Sequence, residues 1–473
     1  MSANKAVESS NYLENKTFDE INIGDTACLT RTLTFEDISL FAMASGDVNP
    51  THLDLEYASS TGSGKVSGHS LWQGALISNI LGTQLPGPGT VYRRQDLQFS
   101  RPILLSDTLT VTITVSCKND QDHTVIFDCI AVDQAGEVTC RGTAEVYAPM
   151  EKIIRERSAL PEIHINNPGA QLQRLVKMTE HFEPIRMAVV HPVDRNSLLG
   201  AIEACQARLI VPVLFGPRDK IVAVAKQEGV DVSGYEIIDT EHSHEAAEKA
   251  VAMARSGEVD ALMKGSLHTD ELMGAAVRTA TGIKTARRMS HVFVIDVPHY
   301  PRPILVSDAA INIAPTLQEK ADIVQNAIDL AHALGIQQPL VAMLSAVETI
   351  NPKLNSTLDA AAICKMAHRR QITGGIVDGP LAFDNAVSEE AARIKGIDSP
   401  VAGRADILIS PDLESGNMVA KQLEYMAEAQ SCGIVLGARV PIALTSRADS
   451  VLSRMASCAL ALLLVRNLKK PMV

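Results

Sequence analysis

The chain has 473 residues, 46% hydrophobic and 21% charged, which is the composition of a globular protein and not of a disordered one. That length exceeds one ordinary core, so two or three domains are expected. A formal net charge of −12 argues against a nucleic-acid binder held by a general basic surface, but local arginines can still grip anionic small molecules.

The eight cysteines show no Cys-x-x-Cys pair or framework spacing and read as free thiols of a reducing compartment. The stretch MSANKAVESSNYLENKTF is polar and lacks an apolar signal core. The longest apolar run, 455–465, is shorter than the ~20 residues of a membrane span and reads as a buried helix. A cytoplasmic protein with neither membrane nor nucleic acid as partner is the expectation.

After the polar tail, residues 27–33 read as a strand and 35–44 as a helix with Thr34 as N-cap. Next comes Phe41-Ala-Met-Ala-Ser-Gly-Asp-Val-Asn-Pro-Thr-His-Leu-Asp54. Pro50 bars its predecessor from helical geometry, so the backbone between Asp47 and His52 is expected to double back, bringing both side chains to one pocket. A carboxylate and an imidazole converging on one water suit proton removal from that water and proton return to a neighbouring carbon, which is addition or elimination chemistry. The plainer alternative is a helix-ending loop in which Asp47 caps amides and His52 sits at the surface.

Residues 70–82, SLWQGALISNILG, are apolar enough for a helix buried on most sides. Four strands are expected at 90–99, 109–115, 124–132 and 137–147, the second alternating apolar residues with Thr and the last two joined by a hairpin at 133–136. One long helix laid on an antiparallel sheet is an α+β domain.

Ser45-Gly46, Asp47, Asn49-Pro50, His52 and Asp54 together resemble the signature of the MaoC-like, R-specific enoyl-CoA hydratases of the hotdog fold, over about the first 150 residues. The resemblance implies that Asp47 and His52 hold and activate the water added across an enoyl thioester. Where relatives carry His-Gly-Met this chain reads His69-Ser70-Leu71, so the Ser70 amide takes the part of the amide that polarises the thioester carbonyl. Ser78 matches a serine that supports the acid and base pair; its alternative is a hydroxyl bonded back to its own helix. Arg93, Arg94 and Arg101 meet CoA phosphates or solvent. The glycine-rich 61–68 stretch lacks phosphate-loop spacing.

Charge at 151–157 and breakers at Pro161 and Pro168 put a linker at 151–168. From 169 to 473 the pattern is large α/β: a three-layer, mostly parallel sheet in two lobes. Apolar strands at 187–190, 211–215, 236–238 and 261–263 alternate with helices, and a second series follows at 292–295, 304–306, 340–344, 375–377, 407–409 and 434–436. Ligands in such sheets bind at the carboxyl ends of strands. The loops to watch are 264–269, 307–312, 378–380 and 410–417. None carries Gly-x-Gly-x-x-Gly, so nicotinamide binding has no positive support. His242 and His244 read as solvated residues without a third metal ligand, and Arg287 and Arg288 meet CoA phosphates or solvent.

In this order the loops, with Val440-Pro-Ile-Ala-Leu-Thr-Ser-Arg-Ala-Asp-Ser450, resemble the phosphate acetyl/butyryl transferase family from about Ile185 to Leu464. The resemblance implies that Arg447 grips the phosphoryl oxygens of an acyl phosphate, Ser446 steadies the oxyanion or thiolate, and Asp449 is the candidate base for the CoA thiol, with Asn417 lining the same cleft. Some acetyl-specific members place the base further along, which makes the butyryl-type branch the closer pattern. The alternative for this trio is a helix start, with Asp449 at the amino end and Ser446 near the cap.

The expectation is a bifunctional enzyme, a fusion of a hydratase and an acyltransferase. CoA thioesters, phosphate and acyl phosphate are its substrates, with no tightly bound cofactor or metal and a homo-oligomeric state implied by resemblance. An acyl-CoA-binding or assembly protein with one active half is the alternative.

Overall fold

Thr34 and Asp37 cap each other's backbone amides and so start helix α1, Phe35–Ser45, which Gly46 ends at φ 75°. Asn49 then caps the short helix α2, Pro50–Leu53, with Pro50 at its first position, and Asp54 caps α3, Leu55–Ser60. The computed structural model describes residues 11–62, 64–158, 169–298, 300–445 and 449–468. The chain divides into two compact units, Met1–Ile165 and Asn166–Val473.

In the first unit the strands are β1 (Tyr12–Glu14), β2 (Thr26–Thr32), β3 (Val91–Phe99), β4 (Thr108–Asn119), β5 (Thr124–Val132), β6 (Val138–Tyr147) and β7 (Ile154–Glu156). Five of them form an antiparallel sheet in the order β2-β4-β5-β6-β3. Helix α4, Leu71–Thr83, buries Trp72, Leu76, Ile77, Ile80 and Leu81 in one core with Val111, Ile113 and Val115 of β4 and Phe127 of β5. Each such side chain stabilises the unit by roughly 1.5–3 kcal/mol. This is the hotdog arrangement. β7 lies within the stretch read as linker, yet its backbone pairs with β1, so the first unit runs past residue 150.

Gly142 of β6 faces Leu97 of β3 at a point where an added Cβ would stand 1.9 Å from the Asp96 carbonyl oxygen. Gly142→Ala is expected to destabilise the first unit by about 3 kcal/mol, seen by calorimetry as a melting temperature lowered by roughly 6–12 °C.

Eleven strands form the sheet of the second unit: β8 (Ile185–Val190), β9 (Ile210–Gly216), β10 (Glu236–Asp239), β11 (Ala261–Lys264), β12 (Ser290–Asp296), β13 (Ile304–Ser307), β14 (Leu340–Leu344), β15 (Ile376–Leu381), β16 (Ile407–Ile409), β17 (Gln430–Leu436) and β18 (Ile442–Ala443). Their order is β10-β9-β8-β11-β18-β17-β12-β13-β16-β14-β15. Two parallel blocks, β10 to β18 and β13 to β15, flank an antiparallel centre at β17 and β12. Alternate strand residues enter opposite cores: Met187 and Val189 on one face, Ala188 and Val190 on the other. Helix Val451–Leu468 buries Ala459, Leu460, Ala461 and Leu462 against the sheet. Asp378-Gly-Pro380, expected as a loop, lies inside the edge strand β15, where proline's missing donor is tolerated.

All eight cysteines are free. Burial pushes the Cys129 and Cys364 thiols up to about 12. No helix among the described residues is long and apolar enough to cross a membrane.

Candidate functional sites

The chain reversal between α1 and α2 is built from short-range bonds. Ser45 Oγ accepts from the Asp47 amide, and Asp47 Oδ1 accepts from the Asn49 amide, both at 3.2 Å. Asp47 therefore does cap an amide, as the plainer alternative held. It also leaves Oδ2 4.0 Å from His52 Nε2, so the two side chains do converge. His52 Nδ1 lies 2.7 Å from the Ser67 carbonyl oxygen. A carbonyl only accepts, so Nδ1 carries a proton, and in the neutral ring the lone pair lies on Nε2, the nitrogen that faces Asp47. The Asp47 side chain is 51% exposed and that of His52 14%, which gives water access to a partly sheltered pair.

A third group completes this cluster. His69 is 4% exposed, its Nε2 donates to the Asp47 carbonyl oxygen at 3.1 Å, and it stands 3.8 Å from Asp47 Oδ2. Its ring packs on that of His52 with centroids 3.9 Å apart, and Phe41 lies 5.0 Å away. The ligand atoms of Asp47, His52 and His69 lie within 4.8 Å of one another, a set that suits a water and among the described residues could also hold a metal ion. The sequence places His69 in the stretch that matches His-Gly-Met but gives it no role beside Asp47, because 17 positions separate it from His52 and no fixed spacing marks the pair.

Ser70 sits at the N-cap of α4 with φ −58°, a conformation open to any residue, so serine replaces glycine there without backbone strain. Ser78 is exposed on α4. The three arginines are paired within the unit: Arg93 with Asp122 and Glu145, Arg94 with Asp96, and Arg101 with Asp133.

In the second unit, loops that follow strands of both parallel blocks meet over Phe293 of the antiparallel centre. They enclose a cleft of about 460 Å³. Lys264 ends β11 and Thr269 begins the helix that follows it, Ala310 comes from the loop after β13, and Thr445 from the segment after β18. Asn417, on helix Leu413–Met426, also lines it and donates Nδ2 to the Ala309 carbonyl at 3.1 Å.

A buried polar network holds the cleft's floor. Asp308 accepts from the amides of Ala310 and Ile311, from Asn312 Nδ2, and from the His291 amide. The His291 ring then donates Nε2–H to the Leu444 carbonyl at 3.2 Å, immediately before Thr445. Burial pulls the His291 pKa below its ordinary value, against the opposing charge of Asp308. Gly433 makes room for the ring, since a Cβ there would stand 2.4 Å from Nε2.

Ser446 and Arg447 lie outside the described residues. Asp449 is half-buried, and the cap of helix Val451–Leu468 is Ser450, whose Oγ accepts from the Ser453 amide at 3.1 Å. On that helix Arg454 is 1% exposed and reaches the Lys264 carbonyl. Burial draws its pKa down, while Asp194 and Asp449 oppose. Burial would raise Asp194, but bonds from the Ser197 amide and Ser266 and the charge of Arg454 hold it below its usual range. No sequence signal distinguishes a buried arginine of this kind from a solvated one.

Beside the cleft, Lys284, Arg287 and Arg288 rim a pocket of about 470 Å³. Both arginines already have protein partners: Arg287 meets Asp329, and Arg288 meets Asn312 and Glu319. His242 caps helix Ser243–Ser256 through Nδ1.

Comparison with known proteins agrees with these two units. The family model described as Phosphate acetyl/butaryl transferase matches residues 244–462, and that of the MaoC like domain matches 23–132. A phosphate acetyltransferase of Rickettsia felis is 57% identical over 296 residues, 62% of this chain and 85% of the relative. A phosphate butyryltransferase of Clostridium acetobutylicum is 42% identical over 282 residues, 60% of this chain and 94% of the relative. The crystal structure of a branched-chain phosphotransacylase from Enterococcus faecalis superimposes with a TM-score of 0.53 at 29% identity, covering 59% of this chain and 99% of that one. The chain belongs to the phosphate acetyl/butyryl transferase family and carries a MaoC-like hotdog domain ahead of its transferase domain.

Proposed function

We propose that the protein is a two-site enzyme of CoA thioesters. Its second unit transfers an acyl group between CoA and phosphate, and its first unit adds water to a 2-enoyl-CoA to give an (R)-3-hydroxyacyl-CoA, or runs the reverse dehydration. Family membership, joined to a cleft built from the expected loops, carries the transferase reading. For the hydratase reading the carrying observation is the Asp47 carboxylate 4.0 Å from His52 Nε2, with the other ring nitrogen held by the Ser67 carbonyl.

In the first unit a water held between the two side chains gives a proton to His52 Nε2 as its oxygen bonds to C3 of the enoyl group. The double-bond electrons move to C2, stabilised through the thioester carbonyl, and the proton returns to C2. Asp47 holds the water and offsets the charge that forms on His52. The Ser70 amide is the assigned donor to the thioester oxygen, with Ser78 as supporting hydroxyl.

For the second unit, Arg447 is assigned to the phosphoryl oxygens, Ser446 to the oxyanion or thiolate, Asp449 to the thiol proton, and Asn417 to the cleft wall. Incubation with crotonyl-CoA, and separately with acetyl-CoA or butyryl-CoA plus phosphate, tests both halves. Enoyl loss in the first assay and phosphate-dependent CoA release in the second are expected. Binding of enoyl-CoA without water addition would instead make the first unit a binding module.

A further inference from the structure

Among the described residues, one polar group that lines the transferase cleft has no hydrogen-bond partner. Thr445 is 3% exposed and its hydroxyl makes no hydrogen bond among the described residues, while Phe293 and Leu444, which line the cleft with it, are apolar. Leaving a buried hydroxyl unpaired costs about 1–3 kcal/mol, so an apolar isostere would serve the fold better. An unpaired hydroxyl beside Phe293 and Leu444 suits an apolar acyl chain that brings one hydroxyl, while Lys264 and Lys421 on the same cleft suit the anionic phosphate. Asn417, whose Nδ2 is committed to Ala309, keeps its Oδ1 as a second acceptor in the same cleft.

We propose that the transferase cleft takes a 3-hydroxyacyl thioester and that Thr445 reads its 3-hydroxyl. This rests on the two-site reading above, in which the first unit makes that class of compound. A phosphate oxygen attacks the thioester carbonyl carbon, the C–O bond forms and the C–S bond breaks, and the proton of hydrogen phosphate passes to the leaving thiolate. The products are a 3-hydroxyacyl phosphate and free CoA. Water addition to a 2-enoyl thioester is the class of reaction that supplies the substrate.

The full chain is assayed for phosphate-dependent CoA release from (R)-3-hydroxybutyryl-CoA, butyryl-CoA and acetyl-CoA. The assays are run in an Asp47→Asn background, which suppresses dehydration of the hydroxyacyl thioester by the first unit and so separates this test from that unit's chemistry. The expected kcat/KM for the hydroxyacyl thioester is at least that for butyryl-CoA. Thr445→Val is expected to lower the ratio of the two about tenfold, and Thr445→Ser to retain it, because a site built to bond a hydroxyl discriminates against its absence. A ratio below one with Thr445 in place overturns the substrate assignment and leaves transfer from butyryl-CoA standing. An unchanged ratio in Thr445→Val overturns the role of Thr445. Release from none of the three thioesters removes the transferase reading itself and the proposal with it.

Discussion

Asp47→Asn is expected to slow crotonyl-CoA hydration roughly 10²–10⁴-fold, the range a positioned acid or base contributes. Asparagine keeps an oxygen for the Asn49 amide, so the turn that sets the pair persists. What disappears is the negative charge beside His52 and one acceptor for the water. The loss should therefore fall on kcat, with KM changed little, since the substrate is held elsewhere. A rate within threefold of the wild type, measured by enoyl absorbance, would remove Asp47 from the chemistry.

Arg447→Ala is expected to slow CoA release from butyryl-CoA and phosphate roughly 10²–10³-fold, the cost of losing one preorganised donor to developing charge. A guanidinium makes paired bonds to phosphate oxygens that a lysine ammonium cannot copy, so Arg447→Lys should recover only part of the rate. Thr445, two positions earlier, lines the cleft, and His291 holds the Leu444 carbonyl next to it. Full activity in Arg447→Ala would move the phosphate site elsewhere.

The hotdog unit was largely legible because its signals are local. β4 alternates Leu109, Val111, Ile113 and Val115 inward with threonines between them, and that period belongs to one face of a sheet. Likewise, a cap at Thr34 and a Gly46 stop can be read without tertiary knowledge. The part His69 plays in the Asp47 cluster was not legible, since its bond to Asp47 exists only after the fold brings residues 22 positions apart together.

Strand direction at the centre of the second sheet was hidden for a different reason. β12 and β17 are apolar on both faces, and such strands read alike whichever way their neighbours run. β18 has two residues, too few for any period. Arg287 and Arg288, left open between ligand and solvent, turned out to be held by acidic partners, which composition alone does not reveal.

The central claim is two independent pockets for one class of CoA thioester, and assaying Asp47→Asn and Arg447→Ala crosswise tests it most directly. Each variant is predicted to lose one activity, hydration for the first and phosphate-dependent CoA release for the second, and to keep the other within threefold of the wild type. Loss of both activities from either single change, with the circular dichroism spectrum of the intact chain unaltered, would contradict it.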